Sequence, residues 1–181
     1  MKKIIFLLIS IISITSYGQT KTASVEKSIF GVQTGLLGIW VHNESKLATH
    51  FSLKSELGLD MGIGNTFFDK KTTYASVFSF TLEPRYYYNL NKRLEKNKKI
   101  TKNSGNYIAL KTTFNPDWFI ISNKDHIDAV NQMRTSVFWG IKRTYGVHFT
   151  LETGAGLGLF FTEFETNQTG IDLHFRIGYT F

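Results

Sequence analysis

Residues Gly170 to Phe181 read Gly-Ile-Asp-Leu-His-Phe-Arg-Ile-Gly-Tyr-Thr-Phe. Ile171, Leu173, Phe175, Ile177, Tyr179 and Phe181 fall on one side of an extended chain, and Asp172, His174, Arg176, Gly178 and Thr180 on the other. Successive side chains of a strand point to opposite faces, so the unbroken alternation predicts a strand with one apolar and one polar face. Working back along the chain, Val147, Phe149, Leu151, Ala155, Leu157 and Leu159 alternate with His148, Thr150, Glu152, Gly154, Gly156 and Gly158. Phe51, Leu53, Leu57, Leu59 and Met61 alternate with His50, Ser52, Lys54, Glu56, Gly58 and Asp60. Shorter runs of the same kind lie around Phe78 to Glu83, Ile108 to Phe114 and Ser136 to Lys142. Ile29 to Val41 is strand-like but less regular, and a bulge near Leu36 and Leu37 restores its phase. No stretch of similar length carries a helical stripe.

Several of these strands run to about 12 to 17 residues, whereas strands of soluble sheets seldom pass about 10. That length crosses a tilted bilayer. The polar faces mix both signs of charge with glycine, as a packed polar interior requires, while Trp40, Tyr86, Tyr88, Trp118 and Tyr179 sit near strand ends like an interfacial girdle. A secreted β-sandwich packing the same aromatics in its core is the competing reading. The expected fold is all-β: a closed antiparallel up-and-down transmembrane β-barrel of about eight strands. Seven strands are plain, and an even number is the bacterial rule, so Thr20 to Ser28 is expected to supply the eighth. Pro84 lacks the N–H that a closed ladder needs, and a bulge beside it is expected.

Met1-Lys2-Lys3, the apolar run Ile4 to Ile14, and Ser16-Tyr17-Gly18 before Gln19 have the form of a secretory signal. Residues 1–18 are therefore expected to be cleaved, leaving 19–181 as one domain. Their removal takes away Lys2 and Lys3, leaving 19 basic against 14 acidic residues. The composition of 181 residues, with 16 Phe, 8 Tyr and 15 Gly against 2 Pro and no Cys, excludes disorder, collagen, a disulfide scaffold and thiolate metal sites. No Cys follows the apolar run, which rules out a lipoprotein anchor.

The last strand, ending on the aromatic Phe181, resembles the C-terminal strand of bacterial outer-membrane barrels, which implies a periplasmic C-terminus; counting back from it, the segments Phe161 to Thr169, about Asn115 to Asn131, and about Gly62 to Thr72 are expected to be external loops. Arg143 to Gly146 and His42 to Lys46 are short periplasmic turns. Asn91 to Gly105 is a long periplasmic connection carrying Lys92, Arg93, Lys96, Lys98, Lys99 and Lys102. These features, the run Leu82 to Asn89, the hairpin Trp139 to Gly146 and the final aromatic together resemble the small outer-membrane barrels of Bacteroidetes-like Gram-negative bacteria, of the eight-stranded OmpX/OmpA type. The resemblance implies an outer-membrane location, contact with membrane lipids and lipopolysaccharide, and recognition of the strand ending in Phe181 by the barrel-assembly machinery. It carries over no catalytic residue.

Inward faces hold Glu56, Asp60, Glu83, Glu152 and Asp172 with Lys54, Arg85, Lys111, Arg134, Lys142 and Arg176, and the histidines His50, His148 and His174. Charges inside a narrow barrel must pair or meet water. One reading is a neutralising network, with Glu83, Arg85, Glu152 and Arg176 in it, that plugs the lumen of a non-enzymatic structural or surface-interaction protein. The other is a lipid A hydrolase or acyltransferase using His148 or His174 as base, with Ser52, Ser76, Ser79 and Ser136 as unspecific nucleophile candidates. No Gly-x-Ser-x-Gly motif occurs, so no catalytic residue is assigned. His148 and Glu152 on one strand lie about 13 Å apart, too far to share an ion, and no metal or cofactor site is assigned. The basic residues are dispersed and match no nucleic-acid motif. A monomer is expected.

Overall fold

The computed structural model describes residues 22–64, 73–118, 120–123, 130–162 and 168–181. The expected signal peptide, and the start of the segment proposed as an eighth strand, lie outside the described residues.

Nine strands follow in order: β1 (Ser28–Gly35), β2 (Gly38–Lys46), β3 (Phe51–Gly64), β4 (Thr73–Tyr87), β5 (Asn106–Asn115), β6 (Ile120–Ser122), β7 (Gln132–Tyr145), β8 (Phe149–Thr162) and β9 (Gln168–Thr180). A short helix α1 (Leu90–Glu95) and a 3-10 turn (Thr101–Asn103) lie between β4 and β5. Eight strands form an antiparallel meander in the order β3-β2-β1-β9-β8-β7-β5-β4, and β3 pairs with β4 from Phe51↔Tyr86 to Gly64↔Thr73. The barrel is therefore closed. The short β6 stands outside the eight and pairs with the upper part of β4, above the point where β5 ends.

The eighth strand is not the 20–28 segment. The irregular 29–41 stretch divides into β1 and β2, paired from Ser28↔Ser45 to Gly35↔Gly38, and Leu36 and Leu37 form a turn and not a bulge. Gly38 makes that turn practicable: its φ is +152°, and a Cβ there would collide with Trp40 and the Leu59 carbonyl. His42 and Glu44, placed by sequence in a short turn, are in the middle of β2, and the turn comes at residues 47–50. Pro84 needs no bulge either. Pairing with β5 lapses at Glu83 and Pro84 and resumes at Arg85↔Ala109 in the register set by Leu82↔Thr112.

Residues 22–27 close one end of the barrel, here called the foot, which also holds the 47–50 and 146–148 turns, the β4–β5 connection and Phe181. Up to Glu26 their backbone bonds go to a turn and to side chains: Val25 N–H to the Thr49 carbonyl (2.9 Å), Ala23 N–H to Asn91 Oδ1 (2.9 Å), and Glu26 N–H to Asn103 Oδ1 (2.7 Å); only the Lys27 carbonyl, accepting from Lys46 N–H (3.0 Å), meets β2. Ala23 and Val25 are buried against Tyr87, Leu90, Tyr107, Ala109 and Phe138 in an apolar cluster. The chain enters as a stopper, and then becomes wall.

Above that stopper the usual distribution of residues is inverted. Five acidic residues (Glu44, Glu56, Glu83, Glu152, Asp172) and five basic ones (Lys54, Arg85, Lys111, Lys142, Arg176) are buried inside. Leu173, Ile171, Leu157 and Val137 are exposed outside by 71%, 69%, 66% and 65%.

Candidate functional site

The inward positions of every barrel strand converge on one ion network, and three acidic residues organise it. Lowest is Glu44 on β2. It accepts from Lys142 Nζ (2.6 Å), Ser52 Oγ (2.7 Å), Tyr87 OH (2.9 Å) and Asn103 Nδ2 (2.9 Å), with Arg85 Nη1 3.7 Å away. At mid-height Glu152 on β8 accepts from Arg85 Nη2 (2.5 Å) and Tyr107 OH (2.9 Å), with Lys54 Nζ at 3.4 Å. Arg85 also donates to Glu83 (2.9 Å), and its guanidinium lies 4.2 Å from the centre of the Tyr107 ring. Glu56 on β3 pairs with Lys54 (2.5 Å) and receives both hydrogen bonds from Arg176 Nη1 (2.7 and 2.8 Å).

Small residues make room for this packing. A Cβ on Gly140 would collide with the Tyr107 ring, and one on Gly154 with Phe138, so two glycines on β7 and β8 let these aromatic rings cross the lumen. Tyr107 then presents its hydroxyl to Glu152.

Nearer the open end, or head, lie two more acidic centres, Asp172 and Asp60. Asp172 meets Lys111 (3.1 Å) and Ser136 Oγ (2.9 Å); Asp60 accepts from Trp40 Nε1 (2.8 Å) and Ser79 Oγ (3.0 Å) and stands 3.8 Å from Arg134. Arg176 caps the tight region with its guanidinium 4.0 Å from the Trp40 ring centre.

The structure joins Glu83, Arg85 and Glu152 directly, and connects Arg176 to them through Glu56 and Lys54. Lys111, Lys142, Arg134, Asp60 and Asp172 also face inward, in the pairs just described. Two of the proposed inward histidines do not. His50 lies in the 47–50 turn, and His148 at the foot bonds the Thr180 carbonyl through Nδ1 (2.7 Å) and stacks on the outward Tyr179. A turn frees its residues from strand parity, which is why the alternation misassigned both. His174 does face the lumen, its ring tilted against Phe138 and its Nε2 3.5 Å from Glu152 Oε1.

The inward face of β2 was missed from sequence: Glu44, an organising carboxylate, His42, buried over Gly31, and Trp40, which faces Asp60 and Arg176 and not the outer girdle. The signal was present. Trp40, His42 and Glu44 alternate with Ile39, Val41 and Asn43 once the chain is divided at Gly35-Leu36-Leu37-Gly38.

The serine candidates are engaged otherwise than a nucleophile would be. Ser52, Ser79 and Ser136 each donate to a carboxylate, and Ser76 lies on the outward parity of β4. Among the described residues no three His, Asp or Glu side chains are grouped as a metal site. No family model, curated protein or solved structure matches the chain.

Proposed function

We propose that the protein is a Gram-negative outer-membrane β-barrel, exported on residues 1–18 and present as 19–181, whose plugged lumen makes it a structural or surface-interaction protein and not a pore. The observation that supports this is the inversion: ion pairs inside with no exposed side-chain surface, and a continuous apolar exterior. A soluble domain seldom leaves a contiguous apolar patch beyond a few hundred Å² in water. Here outward leucines, isoleucines and aromatics go round the whole wall, which suits hydrocarbon. Eight strands enclose an interior that side chains can fill. Glu44, Glu152, Arg85, Tyr87, Tyr107 and Lys142 fill it, so solute passage has no path through the lower half. Lipid A chemistry finds little support, since the inward serines that bond do so to carboxylates and His148 stands outside.

In this setting the foot faces the periplasm, its basic set from Lys92 to Lys102 available to headgroup phosphates, and Phe181 presents an exposed ring at the end of β9 for assembly factors to read. Lipopolysaccharide meets the head.

Membrane fractionation tests the reading. The protein should sediment with the outer membrane, run faster on gels when unheated, and give no stepwise conductance in planar bilayers. A protease site at Asn123 should be cut on intact cells, and one at Asn97 only after the outer membrane is opened. Recovery as a soluble periplasmic protein would defeat the proposal, and steady single-channel currents would defeat the plug.

A further inference from the structure

Among the described residues the wall is not complete to its full height. β9 pairs with β1 only from Thr180 to Arg176, and β3 pairs with β2 only as far as Asp60. Higher up, Gly170 to Phe175 of β9 pair with β8 alone, and residues 62–64 of β3 pair with β4 alone, among the described strands. These two edges face each other across the space that β1 and β2 occupy lower down. Three strand spacings make that gap about 14 Å wide. At its base is the turn, with Leu36 exposed by 84% and Leu37 by 50%. Beside the turn lies an outer cavity of about 440 Å³, lined by Leu36, Leu37, Thr153, Leu173, His174 and Phe175. On the lumen side His174 has a side chain only 6% exposed, yet neither ring nitrogen has a hydrogen-bond partner, and Arg176 Nε and Arg134 Nε have none either.

Turns that meet water favour Gly, Pro, Asn, Asp and Ser; two adjacent leucines at a tip belong in an apolar medium. If the tip lies in hydrocarbon, as the membrane reading above requires and on which this inference rests, the bare edge of β9 lies there too. An unpaired backbone group in hydrocarbon costs several kcal/mol, so open edges occur there only where they line a cavity or meet a partner. The arginine Nε atoms can only donate and a neutral imidazole donates from one nitrogen, so the group that completes the site must bring acceptors.

We infer that this lateral notch binds a single-chain amphiphile with an anionic, acceptor-rich head, of the fatty-acid class, entering from the plane of the membrane. The chain lies along Leu36, Leu37, Leu173 and Phe175. The carboxylate reaches His174 and the free N–H groups of β9. An added peptide strand is the other candidate, but one strand could satisfy only one bank of a gap this wide.

The test uses membrane-purified protein in phosphatidylcholine nanodiscs and a palmitate-length fatty acid with a diazirine at its chain end. After illumination, adducts should concentrate on Leu36, Leu37, Leu173 and Phe175. Excess palmitate should suppress them roughly tenfold while an alkyl-trimethylammonium of equal length leaves them, a difference of about 1.4 kcal/mol in apparent affinity. Leu173→Trp, an outward change that fills the cavity, should abolish labelling and keep the unheated gel mobility. Even labelling of Leu82 and Leu110 elsewhere on the wall, equal competition by the cation, or undiminished labelling of folded Leu173→Trp would overturn the inference. So would crosslinked dimers joined through residues 170–175, which would assign the edge to a second chain. Protein that never enters the nanodisc defeats the membrane reading itself, whereas protein that enters and labels evenly defeats this site alone.

Discussion

Below the Leu36–Leu37 turn, eight strands pair all the way round and enclose close ion pairs, among them Arg85–Glu152 2.5 Å, Lys142–Glu44 2.6 Å and Arg85–Glu83 2.9 Å, with every one of these side chains at 0% exposure. Above it, among the described residues, β1 and β2 no longer line the wall, and Asp60–Arg134 stands 3.8 Å apart with a quarter of each side chain exposed. The sequence writes the same alternation in both halves. What differs is access. Where a complete ladder and the 22–27 stopper exclude water, charges must meet one another at close range. Where the ladder stops, Asp60 and Arg134 are each about a quarter exposed, and tight pairing is no longer required of them. Stability should therefore reside in the lower half and binding in the upper.

The sharpest way to break this comparison is to remove one acidic residue from each half. Glu152→Ala leaves Arg85 and Lys54 partly unpaired in a dry interior and is expected to cost about 3–5 kcal/mol. Asp60→Ala takes the carboxylate from Arg134, a quarter exposed in the open head, and should cost about 1 kcal/mol, in the range of partly solvated pairs. Urea titration of barrel opening in lipid, followed by gel mobility, measures both. Equal losses would mean that the two halves are equally dry.

A second comparison sets the exposed turn tips against each other. Leu36→Arg places a charge where the proposal puts hydrocarbon, and is expected to destabilise by about 2–4 kcal/mol, while Val147→Arg in the foot turn should cost about 0–1 kcal/mol. Val147 is exposed by 70%, so burial among protein atoms does not separate the two sites. Equal, small effects would place the Leu36 tip in water.

Glycine spacing gives a third, smaller test. Gly140→Val drives side-chain carbon into Tyr107, which holds its hydroxyl on Glu152, and overpacking of this kind costs about 1–3 kcal/mol. Gly62→Val at the open rim, where a new Cβ approaches nothing nearer than 3.9 Å, should be close to neutral in the same urea titration.

The barrel and its inward parity were legible because period-two patterning persists wherever the wall is two-sided: Glu83, Arg85, Glu152 and Arg176 were read correctly from alternation alone. The first hairpin was not legible, because its turn is made of leucines. A turn normally declares itself by polar residues, and this one carries two leucines, so Gly35-Leu36-Leu37-Gly38 looked like a bulged strand and carried Glu44 and His42 out of the lumen. The role of residues 22–27 was hidden for a related reason. Their bonds go to Asn91 and Asn103, some 70 residues away in sequence, and no local pattern reports such a contact. Pro84 shows the opposite error: a local rule forecast a bulge, but losing one ladder bond proved easier than shifting the register of two long strands.

The smallest expected effect separates the two histidines that alternation had placed together. His148 sits at the foot with Nδ1 on the Thr180 carbonyl and its ring against Tyr179, whereas His174 lies inside the wall beside Glu152. In His148→Gln the amide can donate to the same carbonyl, so only the ring stack is lost, at about 0.5 kcal/mol. His174→Gln replaces a ring packed on Phe138 with a narrower, more polar chain in a nearly dry place, and should cost more than its counterpart at the foot. The urea midpoints of the two variants, measured at the same pH, decide the point. If His148→Gln proves the more damaging, the ring stack on Tyr179 at the foot carries more stability than the packing of His174 inside the wall, and the dry interior does not extend up to His174.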